Sequence, residues 1–310
     1  MGNLRIGTSG WNYPGGLGTW KGIFYPAPAK GSRAAASRKF DELAYYAEHF
    51  DTVEINTTFY GLPKPTVAQT WADRTPTGFE FSLKVYRRLT HAEGRQVPEL
   101  DLAVIDEYRR GIEPLALAGK LGVLLAQFPP SFKESPESRA YLDALLARFH
   151  DYPVAVELRH RSWSDNFHTT LSLLNSRKAA LAQIDEPKFR LSIHQNQLPN
   201  ITGFYYMRLH GRNAAQWWNH DKSEDRYNYL YSADELKPFA ETADAARRIV
   251  KKSYLYFNNH FASKAVVNAV MIKSQLGEPI NGVYPQAFVD RYPETAPLVS
   301  TAPARQLAPK

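Results

Sequence analysis

The sequence predicts an α/β protein built as a single-domain (β/α)8 TIM-like barrel. Three observations lead there: eight strand-like segments recur along 310 residues, most are followed by helical periodicity, and polar residues crowd the strand ends. Length alone fits two ordinary domains or one barrel of about 250 residues with insertions, so the organisation decides.

The strand-like segments are "LRIGTS" (4–9), "VEINTTF" (53–59), "FEFSLKV" (79–85), "LGVLLAQF" (121–128), "VAVELR" (154–159), "AALAQID" (179–185), "GFYYMRLH" (203–210) and "SYLYFNN" (253–259). Helical spacing follows at Phe40, Leu43, Ala44, Ala47 and Phe50, and at Leu142, Leu145, Leu146 and Phe149 behind Ser135-Pro136. Ser232 and Glu235 have capping-box spacing ahead of Leu236, Phe239, Ala243 and Ala246, and the last helix, near 261–276, stops at Gly277. The barrel is expected over 1–290, with long loops at 10–37 and 211–231, and a frayed Pro/Ala-rich tail over 291–310.

Composition narrows the chemistry. There is no cysteine, which excludes disulfides, Cys-type zinc sites, iron–sulfur clusters and thiol nucleophiles. No run approaches the ~20 apolar residues of a membrane span, and the N-terminus enters a strand at once, so a soluble cytoplasmic protein is expected, with no membrane partner. A net charge of +7 and a pI near 9.3 favour an anionic small molecule as partner, leave nucleic acid open, and also fit a basic surface with no specific partner. Nothing in the chain sets an oligomeric state.

Side chains two apart on a strand share a face. In "VEINTTFYGLP", Glu54 and Asn56 therefore point one way while Val53 and Ile55 point the other. Similar polar residues end the other strands: Ser9, Lys84, Gln127, Glu157 with Arg159, Gln183 with Asp185, Arg208 with His210, and Asn258 or Asn259. Catalytic groups of such barrels sit at these ends. Glu54, Glu157, Asp185 and His210 are the expected proton-transfer residues, and Lys84, Arg159 and Arg208 the groups that hold an anion. A polar plug of mutually satisfied ion pairs is the bland alternative.

Loop aromatics Trp11, Trp20, Tyr60, Trp163, Trp217 and Trp218 could stack on a sugar or base, or simply pack a lid. Asn258-Asn259-His260 opens the last helix, where a phosphate could bind. No cofactor is expected. A divalent metal held by Glu54, Glu157, Asp185 and His210 is an alternative without compact ligand spacing. Neighbouring carboxylates favour an ion-paired Lys84 over a Schiff-base lysine. "GTSGW" is not a nucleophile elbow because Trp11 takes the place of the second glycine, and P-loop, GxGxxG and HExxH patterns are absent.

The segments "GTSGWNYP", "FYP", "VEINTTFYGLP", "TPTGFEFSLKVYRRLTH", "LGVLLAQFPPSF", "VELRHRSW", "YYMRLHGR" and "YFNNH" together resemble the YecE-like family, catalogued as domain of unknown function 72, over about residues 4–276. The resemblance implies a TIM-like barrel and no assigned reaction. It supports Glu54, Asn56, Tyr60, Lys84, Gln127, Glu157, Arg159, Trp163, Arg208, His210 and Asn258 as members of the family's motif set. The insertion "AKGSRAAAS" and the loop "GRNAAQWWNHDKSED" depart from it, so lid contacts transfer least.

The expected function is an enzyme, a hydrolase or isomerase, doing acid/base chemistry on a phosphorylated sugar-like or nucleotide ligand. A nucleic-acid-binding, endonuclease-like barrel is the alternative on fold analogy. A glycosidase ranks lower, because the usual carboxylate positions on strands four and seven hold Gln127 and His210. A non-catalytic ligand-binding protein would use the same pocket.

Overall fold

A computed structural model describes residues 2–27, 40–92, 94, 97–195, 198–219 and 225–301. Its strands are β1 (Leu4–Thr8), β2 (Thr52–Ile55), β3 (Glu80–Lys84), β4 (Leu121–Gln127), β5 (Val154–Glu157), β6 (Ala180–Leu181), β7 (Gln183–Asp185), β8 (Phe204–Leu209) and β9 (Lys252–Phe257). All pairings are parallel, in two sheets ordered β1-β9-β8-β7 and β2-β3-β4-β5-β6. The sixth segment read from sequence thus appears as two short strands separated by Ala182. The Ala182 amide still donates to the Val156 carbonyl (2.9 Å), after which Gln183 pairs with Met207, so one extended segment passes between the sheets. Neither sheet closes on itself by a continuous ladder.

Two further links join β1 to β2. Ser9 and Glu54 form an isolated parallel bridge, with the Gly10 amide donating to the Glu54 carbonyl at 2.7 Å. The buried Tyr46 hydroxyl accepts from the Thr8 amide (3.0 Å) and donates to the Thr52 carbonyl (3.1 Å). Gly7 is required by this approach, because a Cβ there would strike the Thr52 carbonyl oxygen.

The helices are α1 (Glu42–His49), α2 (Thr57–Tyr60), α3 (Pro65–Asp73), α4 (Leu102–Leu117), α5 (Pro136–Arg148), α6 (Ser162–Asp165), α7 (Phe167–Ser176), α8 (Ala233–Arg247), α9 (Lys264–Gln275) and α10 (Gln286–Arg291). Their starts follow local chemistry. The Asp41, Asp101 and Ser135 side chains accept from the amides of Ala44, Val104 and Ser138, and the Ser232–Glu235 capping box forms in both directions. No helix among the described residues is long and apolar enough to cross a membrane.

Apolar packing separates into two layers. Val123, Leu125, Ala155 and Ala180 of one sheet, with Ala182 just beyond it, meet Phe204, Tyr206, Tyr254 and Tyr256 of the other in an inner cluster. A larger cluster, including Val53, Ile55, Leu124, Val156 and Leu209, lies between the strands and the helices. Alternate residues of each strand therefore face the opposing sheet or the helices.

Part of the expected tail is anchored. Residues 291–301 return to the body, where Tyr292 is buried and donates to the Ala262 carbonyl (2.5 Å), Thr295 is buried, and the Tyr284 amide donates to the Ser300 carbonyl at 2.8 Å. Residues 302–310 and the "AKGSRAAAS" insertion lie outside the described residues. The preceding stretch of the 10–37 loop is packed: Trp20 is fully buried and its indole donates to the His260 carbonyl at 2.7 Å.

Candidate functional site

The inner face carries the expected charges at the C-terminal ends of the strands. Register puts Gln127 opposite Glu157, and the alternation that turns Ala155 inward also turns Glu157 and Arg159 inward. Likewise Tyr206, Arg208 and His210 share a face on β8 and beyond it, and Glu54 reaches them from β2. Arg208 is the centre: its Nε and Nη2 donate to Glu54 Oε2 and Oε1 (2.8 and 2.7 Å), and its Nη1 donates to Glu157 Oε2 (2.5 Å). Tyr206 adds a hydroxyl donor to Glu54 Oε2 at 2.7 Å. Arg159 donates twice to Glu157 Oε1 (2.8 and 2.5 Å) and once to Glu186 Oε2 (2.8 Å). This is a chain of carboxylates and guanidiniums in which Arg208 grips Glu54 with two parallel bonds and Arg159 bridges Glu157 and Glu186.

Electrostatics follow from burial and pairing. Burial would raise the Glu157 carboxyl, but Arg208 and Arg159 outweigh it and hold the group well below the usual range. Glu157 is thus a fixed anion and no proton donor near neutrality. Glu186 lies above its ordinary value because burial outweighs the single guanidinium of Arg159. His210 is pushed down to about 3 by burial and by Arg208, so its imidazole is neutral at ordinary pH. Its Nδ1 meets Asn258 Nδ2 at 2.9 Å, and Trp217 lies edge-on above it with ring centroids 6.4 Å apart.

Lys84 differs from all of these. Its Nζ lies 3.9 Å from the Phe59 ring centroid, and no hydrogen bond or ion pair joins it to a described residue. The ion-paired lysine expected from sequence is not what forms, because Arg208 and Arg159 occupy the carboxylates. Burial, then repulsion from Arg208, lowers the amine to about 7 against the pull of Glu157. His91 shares the Phe59 ring (centroids 4.9 Å apart) and is itself lowered to about 4 by burial and by Lys84.

Several expected residues lie elsewhere. Asp185 faces the helical layer, where it accepts from Arg212 (2.8 and 3.0 Å) and from Tyr231 (2.7 Å) beside α8. The pair Gln183 and Asp185 has the right spacing but the opposite phase, since Ala180 and Ala182 are the inward residues. Glu186, the next residue, takes the place expected of Asp185. The four residues considered as a metal set consequently do not converge, and no group of three His, Asp or Glu able to hold a metal occurs among the described residues.

Trp163 is fully buried beneath the strand ends, stacked on Phe132 at 5.4 Å with its indole donating to the Phe132 carbonyl, so it packs the fold and does not line the site. Tyr60 is 73% exposed on the rim. Gln127 is buried and donates to the Phe128 carbonyl (3.0 Å). Asn56, half-buried just before α2, has a buried side-chain oxygen with no partner. The last helix, α9, starts only at Lys264, so Asn258-Asn259-His260 does not itself open it; Asn259 donates to the Tyr229 carbonyl and to Asn268, and the Ala262 amide donates to the Gly18 carbonyl.

Sequence reasoning also missed Tyr206, which the shared parity with Arg208 and His210 could have revealed, and Phe59 and His91, whose roles depend on loop geometry. Above the network lies a cleft of about 470 Å³ whose lining includes Arg159, Glu186, Lys133, Arg190, Trp217 and Trp218. A smaller depression of about 220 Å³ on the β3 side is lined by Arg87, Arg88, His91, Glu99 and Asp101 among others.

Comparison with known proteins agrees with this architecture. The profile of the family described as "Protein of unknown function DUF72" matches residues 5–293. The chain is 26% identical over 295 residues to the UPF0759 protein YunF of Bacillus subtilis, covering 91% of this chain and 98% of that protein. It is 36% identical over 121 residues to the UPF0759 protein YecE of Escherichia coli, covering 38% and 41%. Among solved structures, a DUF72 family protein from Thermotoga maritima superimposes with a TM-score of 0.73 at 32% identity over 89% of this chain and 99% of its own, and one from Enterococcus faecalis with 0.75 at 25% over 90% and 98%. An α/β fold with parallel sheets, the motif residues gathered at the strand ends and a profile match over nearly the whole chain place this protein in the DUF72, or UPF0759, family.

Proposed function

We propose that the C-terminal strand ends form the active site of an enzyme doing acid/base chemistry on an anionic small molecule, on an eight-stranded barrel whose sixth strand is the whole of 180–185. The barrel reading is supported by the inner cluster shared between both sheets, the Ser9–Glu54 bridge and the passage of the chain through Ala182. The observation that carries the function is Lys84. In a cluster where each guanidinium is neutralised by carboxylates, this amine has no hydrogen-bonding or ionic partner among the described residues and is lowered to about 7, the range in which one group both takes and gives protons.

In this reading the Glu54–Arg208–Glu157–Arg159–Glu186 chain is the rigid floor, and Lys84 is the proton-transfer group. The arginines are not the primary anion ligands, because their donors already meet carboxylates. Lys133 and Arg190, on the wall of the larger cleft, are the groups that meet the ligand's anionic end. Glu54 and Glu157 do not act as a glycosidase pair, since both are bound to one guanidinium and Glu157 stays ionised.

The test is calorimetry with inorganic phosphate. Wild type should bind. Replacing Lys133 and Arg190 together with alanine should weaken binding by about tenfold or more, as expected for charge-assisted contacts worth ~1.5–3 kcal/mol. Asp185→Asn should leave it unchanged. A wild type that binds no phosphate overturns the reading.

A second reading is a single-strand nucleic-acid surface, favoured by Trp217, Trp218 and Phe189 beside Lys133 and Arg190 in one cleft. A labelled oligonucleotide bound with a steep salt dependence would support it over the small-molecule reading.

A further inference from the structure

We propose that the cleft of about 470 Å³ above the network takes a free guanine nucleotide, with the base edge on Glu186, the ring on Trp218 and the phosphate between Lys133 and Arg190. This deepens the reading of the site as one for an anionic small molecule and rests on it.

Three kinds of group line this one opening. Lys133 and Arg190 are exposed, and neither side chain has a hydrogen bond or ion pair with a described residue, so both charges are open to an anion. His160 adds a neutral donor to the same lining: its Nδ1 accepts from the Ser162 amide at 3.1 Å, which places the ring proton on Nε2. Trp218 is 62% exposed, and Phe189 and Leu191 are exposed beside it on the cleft wall. The Phe189 ring meets the indole with centroids 5.7 Å apart and planes at 49°, and no other described ring contacts Trp218, so a planar ligand can stack on its open face.

Glu186 selects the ring. It is buried yet lines the cleft, and only its Oε2 is engaged, by Arg159 Nη1 at 2.8 Å. Glu157, by contrast, has both oxygens held by two arginines. What Glu186 lacks is further donors, and its raised carboxyl, one guanidinium against its burial, agrees with that. An ionised carboxylate only accepts. Guanine is the base whose edge offers a ring N–H and an amino group side by side, both of them donors. Adenine and cytosine set an amino group beside a ring-nitrogen acceptor, and uracil flanks its single N–H with two carbonyls. The volume of the cleft lies within the ~300–1,000 Å³ of small-molecule sites, which accommodates a mononucleotide.

The experiment is calorimetry on the full chain with guanosine monophosphate, adenosine monophosphate and inorganic phosphate. The guanine nucleotide should bind about tenfold or more tightly than the adenine nucleotide, and the latter about fivefold or more tightly than phosphate. Trp218→Ala should bring both nucleotides towards the affinity of phosphate. Glu186→Gln should bring the guanine nucleotide to the level of the adenine nucleotide, because an amide that gives its oxygen to Arg159 turns its NH2 to the base. Equal affinity of wild type for the two nucleotides, or nucleotides that bind no more tightly than phosphate, overturns the proposal.

Should Glu186→Gln fail to fold, wild type alone decides. Inosine monophosphate lacks the amino donor and should bind about fivefold or more weakly than guanosine monophosphate, and equal affinity overturns the proposal. Phosphate binding without a nucleotide preference removes the guanine site and keeps the anion site, whereas a guanine nucleotide that binds no more tightly than guanosine removes both. A labelled single strand that displaces the nucleotide with a steep salt dependence assigns the ring site to nucleic acid and overturns the free-nucleotide form.

Discussion

Two buried charge clusters occupy the opposite ends of the same set of strands. At the N-terminal ends, Arg5 pairs with Asp51 and Glu80, Lys252 donates to Glu80 at 2.7 Å, and Tyr254 donates to Glu80 at 2.6 Å. At the C-terminal ends, Arg208 and Arg159 pair with Glu54, Glu157 and Glu186, and Tyr206 donates to Glu54. Both use the same vocabulary of arginine, glutamate and tyrosine. They differ in the lysine: Lys252 meets its carboxylate, while Lys84 meets an aromatic face. A cluster whose charges are all in contact holds strands together. One that leaves an amine over a ring has a group available for chemistry.

The largest expected effect comes from breaking the upper network. Arg208→Met leaves Glu54 and Glu157 buried without their shared guanidinium, and stability should fall by about 3–5 kcal/mol in chemical denaturation. The corresponding break below, Glu80→Gln, should cost about 1–3 kcal/mol, because Lys252 is partly exposed and water replaces part of its partner. Equal losses at both ends would show that the two clusters are the same kind of structure.

Lys84→Met should act in the opposite direction. The folded-state value of about 7 lies below the ordinary 10.5, so folding favours the neutral amine, and wild type carries a cost that is full below pH 7 and fades as pH rises towards the unfolded value. The variant should therefore be more stable at pH 6, by on the order of 2 kcal/mol after allowing for solvent access, with the gain shrinking towards pH 10. A gain that does not depend on pH would place the effect in packing instead.

A smaller effect separates the clusters under acid. His210 lies in the upper cluster with a folded value of about 3, so unfolding takes up a proton between that value and about 6.5, and stability falls as pH drops through this window. His210→Asn should reduce the pH slope of stability there by about one proton. An unchanged slope would show that His210 is not the group that takes up this proton.

Much of this was legible in the sequence, and the failures have physical causes. Glu54, Glu157, Arg159, Arg208 and His210 were found together because side chains two apart on a strand share a face. The rule fixes parity but not phase, and so it chose Asp185, which bonds Arg212 and Tyr231 in the helical layer, over Glu186. The inward alanines 180 and 182 were the missed signal. Trp163 was misplaced because a tryptophan just beyond a strand end reads alike whether it faces a ligand or, as here, Phe132. The state of Lys84 depends on which carboxylates the arginines capture, which no local pattern encodes.

The most direct measurement is a pH titration of the lysine side chains by NMR, with methyl-free 13C labels at Cε and assignment of Lys84 through Lys84→Arg. One resonance, lost in the variant, should titrate at about 7 in the folded protein. A Lys84 resonance that titrates with the ordinary lysines near ~10.4 would contradict the claim that this amine is the uncommitted group of the upper cluster.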